Sequence, residues 1–327
     1  MTSLRIGIVG YGNLGRGVEI ALSLQDDMEL VGVFTRRDPS TVATVGEQTP
    51  VHPMDALEGM QDEIDVLVLC GGSKSELPEQ TPQLAQRFTV VDSYDTHAQI
   101  PEHFAKVDAA ARAAGTTAII STGWDPGLFS INRVFGESIL PAGSTYTFWG
   151  RGLSQGHSDA LRRIDGVAAA VQYTIPSQDA IDRVRAGERP ELSNREKHTR
   201  ECFVVLDEGA DAEAVRQQIV TMPHYFEPFE TTVTFLSAEE LARDHRSMPH
   251  GGFVIRSAES SPGTTQTIEY RLQEDSNPEF TASVIVAYAR AAGRMAADGQ
   301  HGAKTPFDVA PGLLSPKSPE QLRAELL

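Results

Sequence analysis

The sequence contains only two cysteines, Cys70 and Cys202, and they are far apart. There is no C-x-x-C pattern, and none of the nine histidines stands in an H-E-x-x-H motif. Sparse, unpaired cysteine is typical of a reducing compartment, and it argues against a disulfide framework and against a structural zinc site. We therefore expect a protein without a bound metal.

Long apolar runs and excess positive charge are also missing. No segment approaches the roughly 18 uninterrupted apolar residues that a membrane span needs, and the first residues resemble a strand rather than an export signal. Lys and Arg number 28 against 45 Asp and Glu, for a formal net charge of −17. Such an acidic chain is a poor partner for nucleic acid or an anionic membrane surface. These absences lead us to expect a cytoplasmic protein that acts on small molecules.

A glycine-rich turn stands at the start of the chain. Residues 5–9 form an apolar run rich in β-branched side chains, and Gly10, Gly12 and Gly15 follow at the G-x-G-x-x-G spacing before an amphipathic stretch. The first glycine permits a tight turn, the second lets a pyrophosphate approach the backbone, and the third lets helix and strand pack closely. The N-terminus of the following helix then offers N–H groups to phosphates. This context favours dinucleotide binding over a purely structural turn.

The end of the second predicted strand indicates which dinucleotide binds. Residues 28–34 form that strand, and Thr35, Arg36 and Arg37 follow it. A protein that prefers NAD usually places Asp or Glu here to hold the ribose 2′-hydroxyl. Two guanidinium groups and a hydroxyl suit a 2′-phosphate instead, so the pattern predicts NADP(H). The alternative is a solvated basic pair on a loop.

The two parts of the chain differ in their strand patterns. Continuous apolar runs at 65–70, 88–92 and 117–121 alternate with helical stretches, which predicts an α/β, Rossmann-type doubly wound parallel sheet covered on both faces. After about residue 126 the strand candidates become more polar and alternate, which predicts a second α+β domain with a mixed sheet. These candidates are 145–150, 167–176, 200–207, 230–236, 252–257 and 264–273. Residues 280–295 have helical spacing and are expected to return to the first domain, whereas the tail from residue 300 is expected to be loop-rich.

The carboxyl ends of the predicted parallel strands gather residues that suit a ligand site. In such sheets ligands bind beyond these ends, which brings Gly12, Arg36, Gly72, Trp124 and Asp125 to one edge. The full predicted cofactor set comprises the glycine turn, the end of the second strand and the loops after the next two strands: Gly10, Tyr11, Gly12, Asn13, Leu14, Gly15, Thr35, Arg36, Arg37, Cys70, Gly71, Gly72, Ser73, Ser93 and Tyr94.

Two carboxylates at this edge are the candidate catalytic residues. Hydride transfer needs a group that moves protons near the nicotinamide, and Asp95 and Asp125 each follow a buried strand. Two carboxylates also suit a cationic substrate such as an amine. The alternative for either residue is a helix cap, and for Asp125, which precedes Pro126, the two interpretations are evenly matched.

Residues 152–159 contain Ser, His and Asp within one short segment. They are too close together for a catalytic triad and lack the G-x-S-x-G pattern. We interpret the segment as a glycine-lined loop that presents backbone N–H groups to a carboxylate.

The chain resembles the meso-diaminopimelate D-dehydrogenase family over nearly its whole length. The two most specific stretches are STGWDPGLFSINRV at 121–134 and TFWGRGLSQGHSDALRRI at 147–164. Further matching stretches are IGIVGYGNLGRGVE, VGVFTRR, VVDSYDTH, VQYTIPS, ECFVV, MPHGGFVI and NPEFTAS.

The resemblance implies an NADP-dependent homodimer that oxidatively deaminates the D-centre of meso-diaminopimelate, in lysine and cell-wall precursor synthesis. It implies a dinucleotide-binding domain from 1–125 with 278–327 and a substrate-binding and dimerisation domain at 126–277. The residues that it places around the reactive end are Asp95, Trp124, Asp125, Gln155 and Gly156. Those that it places around the distal L-configured end are Trp149, Thr174, Arg200, His250 and Asn277.

Two other functions compete with this one. Another NADPH oxidoreductase of the lysine pathway is possible on the fold alone, but a semialdehyde dehydrogenase needs a nucleophilic cysteine, and Cys202 lies in an apolar strand. A non-catalytic NADP(H) sensor would use the same fold, but it would have no need of residues such as Asp95, Asp125 and Arg200.

Overall fold

The computed structural model describes residues 3–223 and 225–327. The chain forms two compact units, Met1–Ile131 with Pro278–Leu327 and Asn132–Asn277. The first boundary falls after Ile131. The first unit thereby includes Phe129, which is fully buried. Its ring meets that of Trp124 edge to face, with the ring centroids 5.1 Å apart.

Regular elements follow one another closely along the chain. The strands are β1 Leu4–Val9, β2 Met28–Thr35, β3 Val51–Pro53, β4 Val66–Leu69, β5 Val90–Asp92, β6 Thr117–Ile119, β7 Gly143–Trp149, β8 Gly152–Leu153, β9 Val167–Pro176, β10 His198–Leu206, β11 Glu230–Phe235, β12 His250–Ser261, β13 Thr264–Glu274 and β14 Gly302–Lys304. The helices are α1 Asn13–Leu22, α2 Leu77–Ala85, α3 Ile100–Ala114, α4 Phe129–Ile139, α5 Gln155–Leu161, α6 Gln178–Arg185, α7 Asn194–Lys197, α8 Ala212–Val220, α9 Ala238–Asp244, α10 Asn277–Ala297, α11 Pro311–Leu314 and α12 Pro319–Leu326.

The first unit is built on a parallel sheet of seven strands in the order β14-β6-β5-β4-β1-β2-β3. One apolar cluster, which includes residues of α1 and α10, covers one face, and another, which includes residues of α2 and α3, covers the other. The predicted Rossmann-type sheet is thus confirmed. The strand order reverses between β1 and β4, and at such a point a crevice opens beyond the carboxyl ends of the strands.

The tail was predicted to be loop-rich, and this prediction is wrong. β14 adds a parallel edge strand to β6, with Gly302 opposite Thr117. The Ala303 N–H donates to Asp108 Oδ1 of α3 at 2.9 Å, and α11 and α12 follow. A three-residue strand carries no periodicity of its own, so its pairing with a distant strand decides its structure.

The second unit contains two sheets, in the orders β11-β10-β9-β8 and β13-β12-β7. β10 pairs with β11 in parallel, and the other strand pairs in these sheets are antiparallel. The predicted mixed sheet is confirmed. Each sheet has its own apolar cluster, one of which includes α5 and α8 and the other α6.

The long helix α10 packs into the first unit from Pro278 onward. Its Arg290 is 4% exposed and ion-paired with Asp27 at 2.7 Å. The hydrogen bond from Arg290 lowers the pKa of the Asp27 carboxyl below its usual value. Within the described part of the chain, no helix combines the length and the apolarity that crossing a bilayer demands.

Candidate functional site

The glycine turn between β1 and α1 leaves room for a phosphate beside the backbone. Gly10 has φ +88°, which favours glycine. A Cβ on Gly15 would lie 2.3 Å from the Gly10 carbonyl oxygen, so only glycine lets α1 pack so closely. At Gly12, by contrast, a Cβ would meet nothing within 4 Å. The turn therefore has the tight packing and the open side that pyrophosphate binding at a helix N-terminus requires.

A cleft of about 320 Å³ adjoins this turn. It contains eight of the predicted cofactor residues, Gly10, Tyr11, Gly12, Thr35, Arg36, Arg37, Cys70 and Gly71. The other seven lie nearby in sequence: Asn13, Leu14 and Gly15 in the first turn of α1, and Gly72, Ser73, Ser93 and Tyr94 after β4 and β5. The cleft also includes four residues that the sequence did not single out, Phe34, Met54, Glu76 and Gln80. Its lining fits the adenosine part of a dinucleotide.

The two arginines after β2 have different surroundings. Arg37 Nη2 donates to the Tyr11 carbonyl oxygen at 2.5 Å, and the Arg37 N–H donates to Thr35 Oγ1 at 3.1 Å. Arg37 thereby ties the end of β2 to the glycine turn. Arg36 has a side chain that is 67% exposed and ion-paired with Glu76. Arg36 is consequently the guanidinium better placed to meet a 2′-phosphate.

Tyr11 contributes to the cleft through its ring and backbone rather than its hydroxyl. The Tyr11 Oη–H donates to Glu19 of α1, and Val45 and Gly46 donate their N–H groups to the same carboxylate at 2.9 and 3.0 Å. Burial, reinforced by the Glu19 hydrogen bond, raises the pKa of Tyr11 to about 12. The hydroxyl thus holds the loop that follows β2 against α1.

The loops after β4 and β5 meet at the carboxyl edge of the sheet. The Asp95 N–H donates to Ser73 Oγ at 2.7 Å, while the Asp95 side chain is exposed. Tyr94 is 2% exposed and stacks on His103, with the ring centroids 4.1 Å apart. The ring of Tyr94 therefore belongs to the core, and its backbone is the part that remains for the predicted cofactor contact.

A buried carboxylate that the sequence did not reveal organises this edge. Asp92 is fully buried and accepts hydrogen bonds from Thr81 Oγ1 and His103 Nε2, each at 2.8 Å. It also accepts from the N–H groups of Tyr94 and Ser121 at 3.0 and 2.8 Å. The segments that carry both predicted catalytic carboxylates are therefore anchored to one residue.

Asp125 lies four residues before the helix α4. It lies in extended backbone, with φ −152° and ψ 102°, within an irregular segment from Trp124 to Leu128. α4 begins only at Phe129. Asp125 directly follows Trp124, which is 8% exposed.

The second unit buries an arginine that has no anionic partner. Arg200 lies opposite Thr174 in the β9–β10 pair and donates to its Oγ1. It is 7% exposed, and its Cζ lies 3.9 Å from the centroid of the Phe229 ring. Its Nε has no hydrogen-bond partner, and among the described residues no carboxylate lies within ion-pair distance. Burial lowers the pKa of Arg200 to about 10. A buried guanidinium without an anion is costly, so the site is prepared for a carboxylate ligand.

Three other predicted substrate residues surround this arginine in the same unit. Gly152 lies opposite Thr174 across β8 and β9, and a Cβ there would lie 2.3 Å from His250 Cγ. The Trp149 ring stacks on His198, with the ring centroids 5.2 Å apart, and the Trp149 backbone N–H donates to His198 Nε2 at 2.9 Å. Burial lowers the pKa of His198 to about 3, so this histidine is a neutral acceptor. The structure thus groups Trp149, Thr174, Arg200 and His250.

The remaining predicted residues lie at helix starts. The Asn277 N–H donates to the Met248 carbonyl oxygen at 2.9 Å, two residues before His250. Gly156 is exposed in the first turn of α5, and the side chain of Gln155 lies outside the described residues. The prediction of a loop over 152–159 is wrong, because these residues form β8 and the start of α5, with Ser154 as the N-cap.

Comparison with known proteins identifies the family. Residues 123–276 match a family model described as the diaminopimelic acid dehydrogenase C-terminal domain. A meso-diaminopimelate D-dehydrogenase of Lysinibacillus sphaericus is 63% identical over 327 residues, which cover all of both chains. The chain belongs to the meso-diaminopimelate D-dehydrogenase family. The resemblance inferred from the sequence is confirmed.

Solved structures of this family share the fold. The DAP dehydrogenase of C. glutamicum in complex with DAP is 49% identical and has a TM-score of 0.93, with complete coverage of both chains. An engineered D-amino acid dehydrogenase bound to NADP+ is 48% identical and has a TM-score of 0.88, again with complete coverage of both. The predicted NADP(H) cofactor agrees with that complex.

Proposed function

We propose that the chain is an NADP-dependent dehydrogenase that oxidatively deaminates the D-centre of meso-2,6-diaminopimelate. The products are L-2-amino-6-oxopimelate, which cyclises to tetrahydrodipicolinate, together with ammonia and NADPH, and the reaction is reversible. Within the site, the observation that carries the proposal is the buried Arg200, which has no anion of its own and suits the distal carboxylate of a dicarboxylic substrate.

The second unit would hold the L-configured end of the substrate. Arg200 and Thr174, already joined by a hydrogen bond, would bind the carboxylate. Trp149, His250 and Asn277 would complete this subsite, with the Trp149 ring oriented by neutral His198. Gln155 and Gly156 would lie toward the reactive end. Fixing the L end decides which stereocentre is presented for oxidation.

The first unit would hold the cofactor and the reactive end. Bound NADP+ supplies the hydride acceptor. Asp95 and Asp125 would accept hydrogen bonds from the substrate ammonium, which would release one proton to solvent before the Cα hydrogen leaves as hydride. The Asp95 carboxylate would receive the further proton released as water attacks the substrate iminium. Trp124 would shield this end from solvent. The Asp92 hydrogen bonds support these roles, because they fix the backbone on which both carboxylates are carried.

We further propose that the enzyme is a cytoplasmic homodimer. The apolar side chains on α4 support dimerisation: Val134 is 44% exposed, Phe135 is 52% exposed and Ile139 is 65% exposed. A group of exposed apolar residues on one helix commonly marks a protein interface.

Acylating semialdehyde chemistry is disfavoured by the state of the cysteines. Burial raises the pKa of Cys202 to about 12, and burial raises that of Cys70 as well. Neither thiol is therefore a ready nucleophile at neutral pH.

The decisive test measures NADPH formation with the meso, L,L and D,D isomers of diaminopimelate, each with NADP+ and NAD+. We expect turnover largely confined to the meso isomer with NADP+. Binding of NADPH without turnover of any isomer would instead favour a cofactor sensor and would overturn the substrate assignment.

A further inference from the structure

Glu76 places a negative charge inside the cofactor cleft. It immediately precedes α2 and contributes to the cleft lining. One carboxylate oxygen accepts from the Gly72 N–H at 2.5 Å, and the other is ion-paired with Arg36. The Glu76 side chain is 28% exposed. One carboxylate thus holds both a backbone donor and a guanidinium group at the carboxyl edge of the sheet.

Both partners of Glu76 are groups that suit a phosphate. Arg36 is the member of the arginine pair after β2 whose guanidinium is not tied to the glycine turn, and Gly72 follows β4 on the same edge. A 2′-phosphate that binds Arg36 must share it with Glu76 or separate the pair. It also brings up to two negative charges close to a carboxylate, and like charges at this distance repel.

NAD has no 2′-phosphate, so the Glu76 carboxylate does not repel it in this way. Its ribose carries a 2′-hydroxyl, which can donate to the Glu76 carboxylate while Arg36 stays paired with it. Carboxylate acceptors for this hydroxyl are the usual device of NAD-preferring sheets of this type. In this chain the end of β2 lacks such a carboxylate, and Glu76 supplies one from the loop after β4.

We propose that Glu76 determines cofactor selectivity by competing with the 2′-phosphate of NADP for Arg36. Glu76 weakens NADP binding relative to NAD binding. It therefore reduces the preference for NADP over NAD that Arg36 creates. This inference rests on the proposed use of NADP(H). It adds a specificity residue that acts against the arginine.

Glu76→Gln is the informative substitution. The amide oxygen can still accept from the Gly72 N–H, so the Gly71–Gly72 turn keeps its hydrogen bond while the negative charge is lost. Glu79→Gln is the matched control, because Glu79 is exposed, lies in the first turn of the same helix and is absent from the cleft lining. It makes the same change of charge at the same end of α2.

The experiment is a calorimetric titration of NADP+ and NAD+ into the full-length protein and both variants. Since half-exposed ion pairs contribute modestly, we expect Glu76→Gln to lower the Kd for NADP+ roughly two- to fivefold and to leave the Kd for NAD+ unchanged or raised. Glu79→Gln should leave both values unchanged. In an Arg36→Gln background, Glu76→Gln should lose at least half of its effect on NADP+.

Three results would overturn the inference. If Glu76→Gln weakened the binding of NADP+ and NAD+ equally, Glu76 would only stabilise the Gly71–Gly72 turn. If Glu76→Gln and Glu79→Gln changed the Kd for NADP+ equally, the effect would come from the net charge of the protein and not from a contact of Glu76. If Glu76→Gln had its full effect on the Kd for NADP+ in the Arg36→Gln background, Glu76 would not act by competing for Arg36. The proposed function fails separately, if the unsubstituted protein binds NADP+ but oxidises no diaminopimelate isomer.

Discussion

Replacing Arg200 with methionine separates substrate recognition from stability. Methionine keeps most of the side-chain length and removes the charge that the second unit buries beside Thr174. Burial lowers the pKa of Arg200 from its ordinary value to about 10. At neutral pH the guanidinium therefore remains charged, and its burial costs about 3 kcal/mol relative to the unfolded chain.

The expected change in stability follows from opposing contributions. Arg200→Met removes this cost, but it also removes the hydrogen bond to Thr174 and the cation–π contact with Phe229. Each of these lost contacts contributes about 1 kcal/mol. The free energy of unfolding without substrate should accordingly stay constant or rise by about 1 kcal/mol. The change should be the same throughout the neutral range, because the folded-state pKa lies well above it.

The effect on catalysis should be much larger. Loss of a charge-assisted hydrogen bond to a substrate carboxylate costs about 1.5–3 kcal/mol, which is roughly a 10- to 150-fold decrease in kcat/KM. The Kd for NADP+ should not change. Initial rates of NADPH formation with meso-diaminopimelate and urea unfolding curves measure the two quantities, with Arg163→Met, at an exposed arginine of the same unit, as the control. An unchanged kcat/KM would refute the carboxylate role, and destabilisation beyond about 2 kcal/mol would refute the unpaired state of the guanidinium.

Three further predictions test other parts of the molecule. Asp95→Asn should lower kcat roughly 10²- to 10⁴-fold while the Kd for NADP+ is retained; full turnover in steady-state assays would exclude proton transfer by Asp95. Replacing Phe135 and Ile139 together with serine should shift the protein from dimer to monomer in sedimentation velocity, because both side chains are more than half exposed on α4; an unchanged dimer would place the interface elsewhere. Burial raises the pKa of Glu274 to about 7, so the stability that its proton contributes is complete below the unfolded pKa of about 4.5 and is lost as the pH rises through 7. Glu274→Gln should match the parent near pH 4 and be more stable by on the order of 1–3 kcal/mol near pH 8 in chemical unfolding. An equal difference in stability at the two pH values would contradict this.

The sequence could predict features that arise from short stretches of chain. The glycine spacing predicts the turn, because the positive φ at Gly10 and the close packing at Gly15 both favour glycine. Buried apolar runs predict the parallel strands, and alternation predicts the mixed sheet, since each pattern records which faces of a strand are covered. Arg36 lines the cleft, and its position directly after the second strand is what predicts a cofactor contact there.

Only the tertiary structure decided which charges are paired. Arg200 was singled out from the family resemblance, but its burial without an anion depends on the pairing of β9 and β10. Glu76 faces Arg36 because β2 and the start of α2, about forty residues apart, end at the same edge of the sheet. The pairing of β14 with β6 has the same origin. Local patterns in a sequence determine elements, whereas contacts between distant segments determine burial and charge, and those contacts exist only after the chain has folded.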